Sequence, residues 1–271
     1  LVGSEMCIRD RIRDGRISGR GPLAPGPIAS GLARHELKGL RPLLAVLPMT
    51  GLAVLLATFD GAVLTLALAA IAHDFRASVG DLSRLGALLA LGSLGSLPLA
   101  WLADRSGRRR VIALGVAGFG AANLLSALAP SLVVLALVRF AAVCFESLVL
   151  SVSTALVVEE TPSEHRGQAV AAITILAGAG TFLTVLAYPL LAPHWRVLYV
   201  AGGIALPASA LVWRFLPEGG RWSAARITGS GLSVLLERRW RGRLAVLLGA
   251  ALLGAVLLQP AGFFAAFFGS T

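Results

Sequence analysis

The chain has 271 residues, 56% of them hydrophobic and only 14% charged, with a mean hydropathy of +0.81. That is far more apolar side chain than a 28.0 kDa soluble globule buries, so a water-soluble fold is excluded and a membrane protein is expected. The formal charge of +10 does not mark a nucleic-acid binder, because the arginines sit at the ends of apolar stretches rather than on a basic face, and anionic lipid headgroups are the expected partner.

In chain order, residues 1–11 have no apolar core of the kind a signal peptide needs and read as a sequence artefact. They belong to an N-terminal basic tail, 1–42, whose Gly- and Pro-rich stretch 12–41 has the composition of a disordered segment. Apolar runs follow at about 43–71, 85–102, 111–129, 132–157, 168–192, 197–216 and 244–268, each near the roughly 18–20 residues needed to cross hydrocarbon. The expected organisation is six helices over 43–216, a linker over 217–243 and a seventh transmembrane helix in 244–271. Short joints such as Ala129-Pro130-Ser131 make neighbouring helices antiparallel. In the linker, Leu232, Leu235, Leu236 and Trp240 recur at helical spacing and predict an amphipathic interfacial helix.

Orientation follows from the cations. Of 24 Lys and Arg, 19 lie before the first run, in the 103–110 loop, at Arg166 or between Arg221 and Arg243, which places the N-terminus and those loops in the cytoplasm of a multi-pass inner-membrane protein. Cys7 and Cys144 are too few and too far apart to frame a disulfide or metal site, and no cofactor is implied. Enzyme motifs are also missing: there is no Gly-x-Ser-Gly, and His35-Glu36-Leu37-Lys38-Gly39 lacks the second histidine of a zinc site.

Three ionisable residues fall deep inside predicted spans, away from their ends: Asp60, Arg139 and Glu146. Each costs roughly 2.5–3.5 kcal/mol at the bilayer centre, so each is expected to face a partner or a wet cavity. Arg139 and Glu146, seven positions apart, share a helical face about 10 Å apart along the axis, which lets them form a polar stripe without having to touch. For Asp60 the alternatives are proton or substrate binding and a packing acid; for Arg139 they are an anion site and an internal ion pair. Gly178 and Gly180, with Gly115, Gly118 and Gly120, predict close helix packing.

The loop Leu102-Ala103-Asp104-Arg105-Ser106-Gly107-Arg108-Arg109-Arg110 resembles the signature between the second and third helices of the major facilitator superfamily, the large group of secondary solute transporters. Glu159-Glu160-Thr161-Pro162-Ser163-Glu164-His165-Arg166-Gly167 is similar to an element of that family's sugar porters and metabolite symporters, Arg139-Phe140 falls where they carry a fourth-helix arginine, and Leu216-Pro217-Glu218-Gly219-Gly220-Arg221-Trp222 resembles the element after their sixth helix. The resemblance implies an all-α membrane fold: the six-helix N-terminal half of a twelve-helix carrier plus its seventh helix, with the C-terminal half of the polypeptide missing. Reading the frame past Thr271 is expected to reveal five further spans.

It further implies proton-coupled symport of a small polar metabolite, a sugar or an organic acid, by alternating access. Asp60, in Phe59-Asp60-Gly61-Ala62, resembles the first-helix acid that serves proton or substrate binding, with Arg139 and Glu146 on the same pathway. Asp104, Arg105, Gly107, Arg108 and Arg109 would form a cytoplasmic latch, and Arg108, Glu159 and Arg166 a salt-bridge cluster that opens and closes during the cycle. No Gly-Pro pair stands in the fifth span, which favours symport or uniport over drug antiport. A non-transporting receptor or scaffold is the alternative.

Overall fold

The computed structural model describes residues 27–95, 106–191 and 194–217, with side chains from residue 45 onward, and a few isolated positions. The expected linker and seventh helix, like Asp104 and Arg105, lie outside the described residues. Residues 1–39 form one unit and 40–271 another; the fold below is that of the second.

All the regular structure described is helical. Helix α1 runs Pro27–Phe75, α2 Val79–Leu94, α3 Arg108–Ala127, α4 Leu132–Glu160, α5 Arg166–Leu191, α6 Trp195–Gly202 and α7 Ala205–Phe215, with a 3-10 turn at Ser163–His165. Helix α1 thus begins inside the stretch expected to be disordered. Pro27 opens it, a residue suited to the first helical position because its missing N–H has no helical acceptor there. Among the described residues, five stretches are long and apolar enough to cross a membrane: Ala45–Phe75, Arg108–Ala127, Leu132–Glu160, Ser163–Leu190 and Trp195–Phe215. The predicted sixth span is the one stretch Trp195–Phe215, in which α6 and α7 join through Gly203 and Ile204, both with right-handed helical backbone angles.

Local chemistry sets the ends. Ser78 caps α2 in a reciprocal box: its hydroxyl accepts from the Asp81 amide while the Asp81 carboxylate accepts from the Ser78 amide at 3.0 Å. Ser131 caps α4 through Val134. Gly107 precedes α3 with φ 96°, a backbone conformation that a side chain makes costly, which is why the charged turn needs glycine there.

Helix α3 is the hub, packing on α4, α6 and α7. Its glycines make that possible: a methyl at Gly115 would lie 2.6 Å from Val149, at Gly118 2.7 Å from the Phe145 ring, and at Gly120 2.5 Å from the backbone nitrogen of Leu206. In α5 only one of the two expected glycines packs. Gly180 lies against the Leu55 carbonyl and Thr58 of α1, whereas Gly178 faces open space. Beside Gly180, the Thr184 hydroxyl donates to the Phe59 carbonyl at 2.9 Å, so α5 holds α1 one residue before Asp60. Large apolar side chains such as Leu114, Val133, Leu137, Ile175 and Leu190 point outward, as lipid contact requires.

At the Asp74 end of the bundle, Arg196 of α6 ties three elements. It donates to the carbonyls of Ala127 and Ala129 at 3.3 and 3.2 Å and to Asp74 of α1 at 3.2 Å, and stacks over Trp195. Trp195 donates to the same carboxylate. The ion pair is half-exposed and worth little by itself, but the carbonyls of Ala127, the last residue of α3, and of Ala129 just past it lose this donor if the fork is removed. Arg196→Ala is expected to cost about 1–2 kcal/mol, read as a lower thermal unfolding midpoint in detergent, with Arg196→Lys recovering less than half because an ammonium lacks the planar fork.

Candidate functional site

The apolar core is divided in two. One cluster joins Val46–Ala57 of α1 to α3, the second half of α4 and α7; the other joins Val63–Ala72 to α2, the start of α4 and α6. Between them lies a polar layer of Asp60, Asn123, Arg139 and Glu146, all buried. Asp60 is the central residue of the Ala45–Phe75 stretch and Glu146 the central residue of Leu132–Glu160, so the layer sits at mid-depth of both helices.

Arg139 organises this layer. Its Nη1 donates to Asp60 Oδ1 at 2.9 Å and to Asn123 Oδ1 at 3.0 Å, its Nη2 donates to Glu146 Oε1 at 3.0 Å, and its guanidinium lies 5.2 Å from the Tyr199 ring centroid. Four helices therefore meet on one cation: α1, α3, α4 and α6. Arg139 and Glu146 meet in a direct ion pair across the seven positions that separate them. A helical Cα–Cβ bond tilts toward the N-terminus, so Glu146 leans back along α4, and the long arginine side chain spans the rest of the rise.

The layer carries one cation against two carboxyl groups, and its hydrogen bonding is incomplete. Among the described residues, Asp60 Oδ2, Arg139 Nε, Asn123 Nδ2 and the Tyr199 hydroxyl are buried without a partner. Buried polar groups left open in this way are costly unless the site has a use for them. Sequence reasoning missed Asn123 and Tyr199. A lone asparagine in the apolar run Ala121-Ala122-Asn123-Leu124 was the available signal for the first; nothing singled out the tyrosine.

The other expected site residues separate. Arg108 Nη2 and Glu159 Oε1 pair at 2.7 Å, joining the start of α3 to the end of α4. Arg166 instead donates to the Thr161 carbonyl at 3.4 Å. Arg109 donates to the Trp213 carbonyl at 2.6 Å and stacks over the Trp213 ring, so it fastens α3 to α7. His73 and His194 are exposed, and no group of metal-ligating side chains occurs among the described residues.

A sequence model of the Major Facilitator Superfamily matches residues 50–271. The chain belongs to this superfamily. The buried layer therefore lies halfway along the apolar helices of a multi-pass membrane protein. A gallate transporter of Pseudomonas putida is 32% identical over 195 residues, covering 67% of this chain and 41% of the transporter. The multidrug efflux pump LfrA of Mycolicibacterium smegmatis is 34% identical over 185 residues, covering 64% of this chain and 35% of the pump. Among solved structures, a bacterial homologue of the human lysosomal transporter Spinster, inward-facing and unoccupied, superposes with a TM-score of 0.56 at 22% identity, covering 67% of this chain and 43% of that one, and shows the shared facilitator fold. The chain spans less than half the length of each of these relatives.

Proposed function

We propose that the chain supplies the N-terminal half and seventh helix of a proton-coupled secondary carrier for a small polar metabolite, with Asp60 as the coupling acid. The observation that carries this reading is the Asp60–Arg139–Glu146 layer at mid-depth of its helices. With both acids ionised the layer holds one net negative charge in a medium where unpaired charge is expensive, and a single bound proton cancels it. Asp60 is 1% exposed, which suits an acid that binds a proton rather than one that contacts the solute. Taking up and releasing that proton changes the charge at the meeting point of four helices, which gives alternating access something to respond to.

The topology that suits this cycle puts the N-terminus and the Gly107 turn in the cytoplasm of an inner membrane, where Arg108 and Glu159 act as a latch toward the second half. Likeness to a gallate transporter supports an organic-acid cargo. Likeness to a multidrug efflux pump supports a second reading, export in exchange for protons through the same layer.

The test uses the full-length protein in proteoliposomes under an imposed pH gradient, with labelled sugars and organic acids, gallate among them. Wild type is expected to move at least one solute against its concentration gradient only while the pH gradient stands. Asp60→Asn is expected to reduce that accumulation by about tenfold or more, a loss of about 1.4 kcal/mol per decade. Unchanged proton-dependent accumulation in Asp60→Asn removes the assignment.

A further inference from the structure

At the Gly107 end of the bundle, arginines gather where α3 begins and α7 ends. The two helices run antiparallel: Gly120 of α3 lies against Ala205 and Leu206 of α7, and nearer the start of α3, Arg109 lies against Trp213. That register sets Arg110 level with Trp213 and Arg214. Both Arg110 and Arg214 are exposed, and neither has an acidic partner among the described residues. Arg109 spends its Nε on the Trp213 carbonyl and makes no other hydrogen bond among those residues. The carboxylate of Glu159 is already taken by Arg108.

Left alone, this arrangement is unfavourable. The start of a helix is the positive end of its dipole and favours anions, yet the first turn of α3 holds Arg108, Arg109 and Arg110 and no acid, and Gly107 supplies no side-chain cap. An anion at the seam between α3 and α7 offsets both the repulsion among the arginines and their position on the helix.

The surroundings of the cations say what carries that anion. One turn further along α3, Leu114 lies on the same face as Arg110 and is exposed, and Leu125 continues that face. On α7, Leu211 is exposed one turn before Arg214, and so are the rings of Trp213 and Phe215. Arg109 stacks over Trp213 and Arg214 over Phe215, each 5.5 Å from the ring centroid. Aromatic rings beside cations, with apolar faces running on from them, match the boundary between headgroups and hydrocarbon. A free phosphate has a use for the cations alone, whereas a phospholipid has a use for the cations and the apolar faces together.

We propose that the α3–α7 seam holds an anionic phospholipid, with Arg109, Arg110 and Arg214 on its headgroup phosphate and its acyl chains along the Leu114 and Leu211 faces. Arginine suits the task because its planar fork can bond two phosphate oxygens at once. The bound lipid ties the start of the hub helix to the end of the sixth span, beside the Arg109–Trp213 contact. The inference is independent of proton coupling.

Trp213 reports on this site. The full-length protein is reconstituted in phosphatidylcholine vesicles that carry a minor fraction of either phosphatidylglycerol or phosphatidylcholine brominated on its acyl chains. The Trp213 signal is the wild-type fluorescence less that of Trp213→Phe. Brominated phosphatidylglycerol is expected to quench it with an apparent affinity about fivefold or more above that of brominated phosphatidylcholine. Arg110→Gln combined with Arg214→Gln is expected to abolish this preference; neither side chain bonds another element, and an unchanged unfolding temperature checks that the variant folds. Arg16→Gln combined with Arg20→Gln removes the same charge from the N-terminal tail and is expected to keep the preference. Equal quenching by the two lipids in wild type, a preference that survives in the Arg110 and Arg214 variant, or equal loss in both double variants overturns the inference. Relief of quenching by inorganic phosphate, but not by chloride at the same ionic strength, marks a site for the free anion and overturns it too.

Discussion

Arg139→Leu is expected to lower the stability of the folded protein by about 3–5 kcal/mol, the cost of removing one partner from a buried charged set. The size follows from how much converges on this side chain. Arg139 is wholly buried, holds Asp60 and Glu146 at 2.9 and 3.0 Å, and satisfies Asn123 as well. Leucine leaves two carboxyl groups facing each other with no cation between them, and Asn123 Oδ1 without its donor. Arg139→Lys is expected to recover only part of the loss, because a single ammonium cannot reach three acceptors on three helices in the geometry of a planar fork. Thermal unfolding of purified full-length protein in one detergent, followed by fluorescence, reads both substitutions, and wild-type unfolding in Arg139→Leu refutes the expectation.

Gly120→Val is expected to have the next largest effect, through packing alone. At Gly120 the nearest atoms to a new side chain are backbone: Leu206 N at 2.5 Å and the Ala205 carbonyl carbon at 3.0 Å. Backbone does not rotate out of the way, so α3 and α7 must separate, and the contact between the hub helix and the second half of the sixth span is lost. Overpacking of a tight interior typically costs about 1–3 kcal/mol, and a helix displacement places this site at or above the top of that range. Gly178→Val is the matched control: nothing lies within 4 Å of Gly178, so the same added volume is expected to leave unfolding within about 0.5 kcal/mol of wild type. Equal losses at the two positions would mean that the helix contacts differ from those described here.

These glycines also show how far sequence reading reaches. The small residues of α3 and α5 announced close packing, but a glycine's azimuth around its helix depends on where the neighbouring helix lies, so Gly178 and Gly180 looked alike while only Gly180 meets α1. The apolar runs located the helices because the bilayer demands about twenty apolar residues per crossing. Asp60, Arg139 and Glu146 stood out because charge is rare in such runs. Their convergence on one guanidinium did not, since it depends on the side-by-side placement of α1 and α4, seventy-nine positions apart in the chain. Asn123 and Tyr199 were hidden for a related reason: neutral polar and aromatic residues are unremarkable in a span until a buried cation is set beside them.

The central claim is that Asp60, Arg139 and Glu146 act as one ionic unit at mid-depth of the membrane helices. A mutant cycle on thermal unfolding of the full-length protein tests it most directly, comparing Arg139→Leu, the pair Asp60→Asn with Glu146→Gln, and the triple variant that carries all three changes. Neutralising a whole buried set is far less costly than breaking it, so the triple variant is expected to unfold within about 1 kcal/mol of wild type while Arg139→Leu and the acid pair each lose about 3 kcal/mol or more. Losses that simply add in the triple variant would show three independent residues and contradict the account.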